Sequence, residues 1–120
     1  QLGTADAVKS VNIENLEGSV LIINGDHPLI EGQDLEEIIK KFERSGADLS
    51  VVTVELKNPG KFGRIVRHYE NIKAIVEAKD ASVETLKIRE INTGIYLVKA
   101  DILKTYLPGI KNQNAQNEYY

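Results

Sequence analysis

Asp26 is the first residue placed to do chemistry. It follows an apolar run, Ser19-Val20-Leu21-Ile22-Ile23, and then Asn24-Gly25. In open α/β sheets, ligands gather beyond the carboxyl ends of the strands. A carboxylate there, beside a glycine that adds no bulk, can hold a hard cation such as Mg2+. A turn aspartate bonded to its own backbone fits the same position. Gln1-Leu2-Gly3-Thr4 offers a second chemistry. A carboxamide sets a donor beside an acceptor, the complement of the imide edge of uracil or thymine. Gly3 lets the backbone come close enough to join in, although from these residues alone a helix-entry loop with Thr4 as its cap is the plainer reading. In Lys61-Phe62-Gly63-Arg64, Gly63 can pass near a ligand or simply mark a turn becoming a strand, and Arg64 reads as a solvated strand-edge residue. Glu77 and Asn92 are polar residues at the end or middle of apolar stretches, Ile75-Val76 and Ile91 to Ile95. A buried polar side chain needs a partner, and a sugar hydroxyl or a neighbouring backbone group would each serve.

These residues need elements to hold them. Thr4 as N-cap with Ala5 to Val11 suits a short helix. Ser19 to Ile23 is an unalternating apolar run, expected of a strand buried on both faces. Leu35, Ile38, Ile39 and Phe42 fall at i, i+3, i+4 and i+7 and make one stripe of a helix, with Gly46 as its stop. Leu49 to Leu56 is rich in β-branched residues and predicts a second strand. Asn58-Pro59-Gly60 is a turn. Arg64 to Tyr69 and Ile72 to Glu77 form a strand pair, with His68 on a solvated face. Ser82 caps a helical turn, Ile88 to Val98 is a strand interrupted at Asn92-Thr93-Gly94, and Ala100 to Leu107 is a helix ending before Pro108. A strand, a helix and a strand, then further strands and a helix, predict an α/β sheet with an antiparallel insertion.

Composition narrows the classes. The chain has 120 residues, 42% hydrophobic and 28% charged, with a formal charge of −3. One domain, or a piece of one, fits that length. The absence of cysteine excludes disulfide scaffolds and thiol chemistry. The acidic balance argues against a broad nucleic-acid surface, and no apolar run reaches a membrane span. His27 and His68 lie too far apart for a local metal pair. Glycine-rich dinucleotide and P-loop signatures and the nucleophile elbow are missing too. The lack of any methionine and the ending Glu118-Tyr119-Tyr120 suggest cut edges within a larger protein.

Six segments taken in order carry a resemblance. They are Gln1-Leu2-Gly3-Thr4-Ala5, Gly25-Asp26-x-Pro28-Leu29-Ile30, Phe62-Gly63-Arg64-Ile65, Val76-Glu77-x-Lys79-Asp80-Ala81, Glu90-Ile91-Asn92-Thr93-Gly94-Ile95 and Asn114-Ala115-Gln116-x-Glu118-Tyr119-Tyr120. Together they resemble the uridylyltransferase domain of the bacterial N-acetylglucosamine-1-phosphate uridylyltransferases. The resemblance implies a Rossmann-like α/β nucleotidyltransferase sheet, mostly parallel with an antiparallel insertion. Residues 1–120 would be the central and C-terminal part of that domain. It also implies transfer of a uridylyl group from UTP to N-acetylglucosamine 1-phosphate, for cell-wall synthesis in the cytoplasm. By residue, it implies that Gln1, Gly3 and Thr4 meet uracil, Gly25 lies against the nucleotide and Asp26 binds Mg2+. Gly63 and Glu77 would hold the sugar, and Asn92 the sugar or the ribose.

Two positions depart from the family pattern. Asp6 stands where histidine is common, and His27 stands where a small aliphatic residue is usual. The family's first strand and its glycine-rich loop, with an arginine and a lysine for the triphosphate, precede the position of Gln1. A second metal ligand follows that of Tyr120. The sheet of these 120 residues is therefore expected to be incomplete, and the isolated chain to be inactive and aggregation-prone. The parent protein is expected to be a homo-oligomer, with no nucleic-acid or membrane partner. Glucose-1-phosphate uridylyl- or thymidylyltransferase activity and a non-catalytic nucleotide-binding module are the alternatives.

Overall fold

The computed structural model describes residues 3–25 and 30–111. It divides into two compact units, residues 1–50 with 95–120, and residues 51–94. The division falls inside two strands, so each of those contributes to both units.

The first unit holds α1 (Thr4–Lys9), β1 (Ser19–Ile22), α2 (Gly32–Ser45), the start of β2 (Leu49–Glu55), the end of β5 (Glu90–Lys99) and α4 (Ala100–Tyr106). Short 3-10 turns lie at Ile13–Asn15 and Leu107–Gly109. α2 forms as its apolar stripe predicts, with Phe42 buried. Its entry is tied by the Glu31 N–H donating to Asp34 Oδ2 at 3.1 Å, and its exit turns at Gly46, φ 67°. A left-handed residue there costs glycine nothing. α1 departs from expectation at its first residue. Gly3, not Thr4, is the cap, at φ 102° and with no side-chain capping bond, so Thr4 becomes the first helical residue. The unit's core is Ala5, Val98, Leu103 and Leu107, with Val8, Val20 and Ile22 packed against it.

The second unit holds the rest of β2, then β3 (Arg64–His68), β4 (Asn71–Val76), α3 (Val83–Leu86) and the first part of β5. Ser82 caps α3 as expected, its side chain accepting the Thr85 N–H at 3.1 Å. The β3–β4 turn carries Tyr69 at φ 55°, with His68 exposed and edge-on to its ring. β5 is not interrupted at Asn92-Thr93-Gly94; Gly94 at φ 79° absorbs the irregularity within the strand.

Strand pairing runs β1-β5-β3-β4, with β2 also on β5. The β1–β5, β3–β4 and β3–β5 pairs are antiparallel. β2 runs antiparallel to β5 as well. The Lys99 N–H donates to Asp48 O at one end, and the Leu56 N–H donates to Arg89 O at the other. The mostly parallel sheet expected from the sequence is therefore corrected to an antiparallel one in the described strands. β1, α2 and β2 do follow one another as in a crossover unit. The strand that pairs with both β1 and β2 is β5, whose place so far along the chain no local pattern could reveal.

Candidate functional site

In the first unit the residues after β1 and before α1 line one cleft of about 840 Å³. Val8, Val11, Leu16, Val20 and Ile22 give it an apolar floor, and Gly3, Thr4, Asn24 and Gly25 stand along it. Such a lining suits a flat, partly apolar ring that needs a few polar contacts at its edge. Three of the residues read as nucleotide-binding, Gly3, Thr4 and Gly25, thus share one cavity. The fourth, Gln1, lies outside the described residues, as do Asp26, His27 and the tail from Asn112.

In the second unit the strand register does the assembling. Arg64 is the Cα partner of Val76 on one side and of Ile91 on the other. One residue back, Gly63 therefore stands between Glu77 and Asn92. The Asn92 N–H donates to Gly63 O at 2.9 Å. A Cβ built on Gly63 would lie 2.8 Å from Glu77 Oε1 and 3.4 Å from Ile75 Cγ2. The Glu77 carboxylate thus occupies the space that the glycine leaves open. Asn92 Oδ1 accepts the Gly94 N–H at 3.0 Å, which fixes the amide. A backbone glycine, a carboxylate acceptor and an oriented amide in one row are a set of groups suited to adjacent hydroxyls.

One pleat further along the same face, Glu90 ties β5 to its neighbours. Arg67 Nε donates to Glu90 Oε2 at 2.7 Å and Arg67 Nη2 to Oε1 at 2.6 Å. Thr53 Oγ1 donates to Glu90 Oε1 at 2.7 Å. The Arg67 hydrogen bonds hold the Glu90 carboxyl below its ordinary range, outweighing the upward push of burial, and Glu90 raises Arg67 in turn. Sequence reading missed this cluster because its members lie on three strands. It also placed Arg64 in solvent, and the structure corrects this: Arg64 is 3% exposed. Its partner Ile91 is a core residue, so the pleat turns the guanidinium inward.

No group of three or more His, Cys, Asp or Glu side chains converges on a cation position among the described residues. No described helix is long and apolar enough to cross a membrane.

The chain is an α/β protein with an apolar cleft beyond β1 in its first unit and a polar row across three strands in its second. The chain matches the sequence model of the family described as Nucleotidyl transferase over residues 1–119, and it belongs to that family. It is 62% identical over 120 residues to the bifunctional protein GlmU of Bdellovibrio bacteriovorus, matching all of this chain and 26% of that protein. It is 44% identical to the bifunctional protein GlmU of Lactobacillus johnsonii, matching all of this chain and 27% of that one. The chain thus spans about a quarter of the length of the curated relatives it matches. In fold it is similar to a putative glucose-1-phosphate thymidylyltransferase from Bacillus anthracis, with a TM-score of 0.67 at 21% identity over 87% of this chain and 39% of the other. A UDP-glucose pyrophosphorylase complexed with UDP-glucose gives 0.68 at 19% identity, over 99% of this chain and 47% of that one.

Proposed function

We propose that residues 1–120 are the central and C-terminal part of a sugar-1-phosphate uridylyltransferase domain, which makes UDP-N-acetylglucosamine and pyrophosphate from UTP and N-acetylglucosamine 1-phosphate in the cytoplasm. The observation that carries this reading is the row of Glu77, Gly63 and Asn92, placed side by side by strand register. The 62% identity to a GlmU protein supports the uridylyl donor and the acetamido sugar.

Gly3, Thr4 and Gly25 take the nucleotide in the cleft of the first unit, with Gln1 reading the uracil edge. Glu77 accepts from sugar hydroxyls, Asn92 donates to the sugar, and Gly63 lets it lie against the backbone. An oxygen of the sugar phosphate attacks the α-phosphorus of UTP, the bond to the β-phosphate breaks, and pyrophosphate leaves. Such transfers depend on positioning and on neutralising charge. Asp26 would hold Mg2+, an ion commonly bound by one or two carboxylates together with substrate phosphates. When bound, the ion supplies charge neutralisation at the phosphates. The working form is a homo-oligomer of the full-length protein.

Pyrophosphate release by the full-length protein tests the reading. With UTP and Mg2+, N-acetylglucosamine 1-phosphate is expected to turn over faster than glucose 1-phosphate. Background release with every sugar phosphate overturns the enzyme reading, and preference for glucose 1-phosphate overturns the sugar assignment.

A further inference from the structure

We infer that Arg64 is a positioning residue for the sugar row: from the reverse face of β3 it fixes the turn before Gly63, and so sets where that glycine stands between Glu77 and Asn92. This rests on the sugar-1-phosphate reading above. Arg64 is buried, yet no carboxylate pairs with it among the described residues. Its guanidinium is held by backbone carbonyls instead. Nη2 donates to Gly60 O at 3.0 Å, and Nη1 donates to Phe62 O. Its Nε is buried with no hydrogen-bond partner.

Burying a guanidinium is costly, and an apolar side chain of similar volume would fill the space more cheaply. What the guanidinium adds is a rigid planar fork. Here the fork ties two carbonyls of one turn to the first residue of the strand that follows. The turn has little else to hold it. Gly60 sits at φ 54°, the Phe62 N–H bonds back to Pro59 O, and the Phe62 ring is 52% exposed. Gly63 comes next, packed so closely on the Glu77 carboxylate that an added Cβ would lie 2.8 Å from its Oε1. An unanchored turn would let Gly63 drift relative to both of its neighbours. Arg64 touches no reacting group; it acts through Gly63.

The experiment compares Arg64→Lys and Arg64→Met with the natural full-length protein. R64K keeps the charge without the fork, and R64M keeps the volume without the charge. The readouts are KM for each substrate, kcat, the thermal midpoint, and the rate of chymotryptic cleavage after Phe62 well below that midpoint. In both variants the KM for the sugar 1-phosphate is expected to rise about tenfold, since misplacement by a fraction of an ångström is worth that much. The UTP KM should stay within twofold and cleavage at Phe62 should accelerate, even where R64M matches the natural midpoint. Natural sugar KM in a folded variant overturns the inference, as does a parallel rise in both KM values. Unchanged cleavage at Phe62 in both variants also overturns it. If the natural protein turns over no sugar 1-phosphate, the functional reading fails, while the Phe62 cleavage rate still decides whether Arg64 anchors the turn.

Discussion

Gly63→Ala puts the row of Glu77, Gly63 and Asn92 to its sharpest test. The added methyl would stand 2.8 Å from Glu77 Oε1, 3.3 Å from Glu77 Cδ and 3.4 Å from Ile75 Cγ2. Ordinary contact begins near 3.4 Å, so the carboxylate must retreat by about 0.6 Å, the gap between 2.8 and 3.4 Å. Nothing else needs to move, because Gly63 is not among the glycines of positive φ and alanine can adopt its backbone. The conformational-entropy gain of Gly→Ala, roughly 0.4–1 kcal/mol, offsets the tight contact, so stability should barely change. Catalysis should respond differently. A 1 Å misplacement of a positioning group can cost ~100-fold, and the smaller retreat here predicts about a tenfold rise in KM for the sugar 1-phosphate. Steady-state pyrophosphate release, with UTP saturating and the sugar phosphate varied, reads this directly. The UTP KM and the thermal midpoint serve as controls. An unchanged sugar KM in a folded G63A protein would refute the assignment of Glu77 and Gly63 to the sugar.

Three further outcomes follow from single residues. Glu90 has a folded pKa below its unfolded value because Arg67 hydrogen-bonds it, so its contribution is full above the unfolded pKa and is lost as pH falls through the folded one. Glu90→Gln should cost about 1 kcal/mol at neutral pH, tempered by the partial exposure of Arg67, and should flatten the acid limb of the stability profile; an unaltered acid limb contradicts this. Gly46→Ala should destabilise by about 1–2 kcal/mol in denaturant titration, since the α2 exit needs a left-handed residue. Asp26→Asn should lower kcat/KM by about 100-fold or more at limiting Mg2+, the scale of a lost metal-held charge, and a natural Mg2+ dependence in that variant would remove Asp26 from the metal site.

Where the cause was local, the sequence was readable. The α2 stripe, the Gly46 stop and the Ser82 cap each depend on residues within about two helical turns of one another, and each formed as expected. The Thr4 cap failed for an equally local reason: Gly3 takes φ 102°, which moves the helix start one residue earlier. Register and burial were not readable. Glu77 and Asn92 looked ambiguous alone, because what makes them a pair is their common neighbour Gly63, 14 residues before one and 29 before the other. Arg64 looked exposed because arginine usually is. Its burial follows from pairing with Ile91, and the hint in the chain was its place between a turn and the core residue Ile65.

Gly63 and Arg64 explain why Phe62-Gly63-Arg64-Ile65 behaves as one motif rather than four residues. Consecutive strand residues face opposite sides. On one side the Glu77 carboxylate fills the space where a side chain on Gly63 would be. On the other, Arg64 must be long and forked to reach Gly60 and Phe62. Ile65, facing as Gly63 does, is buried beside it and holds β3 to the sheet. Space on one face and an anchor on the other are separate requirements at adjacent positions, so neither substitution can compensate for the other. Were the row only a packing detail, Glu77→Gln would be silent in a G63A background and in the natural one alike. If the carboxylate binds sugar, Glu77→Gln should raise the sugar KM in the natural background and add little once Gly63→Ala has already displaced the group, a coupling that a double-mutant cycle measures.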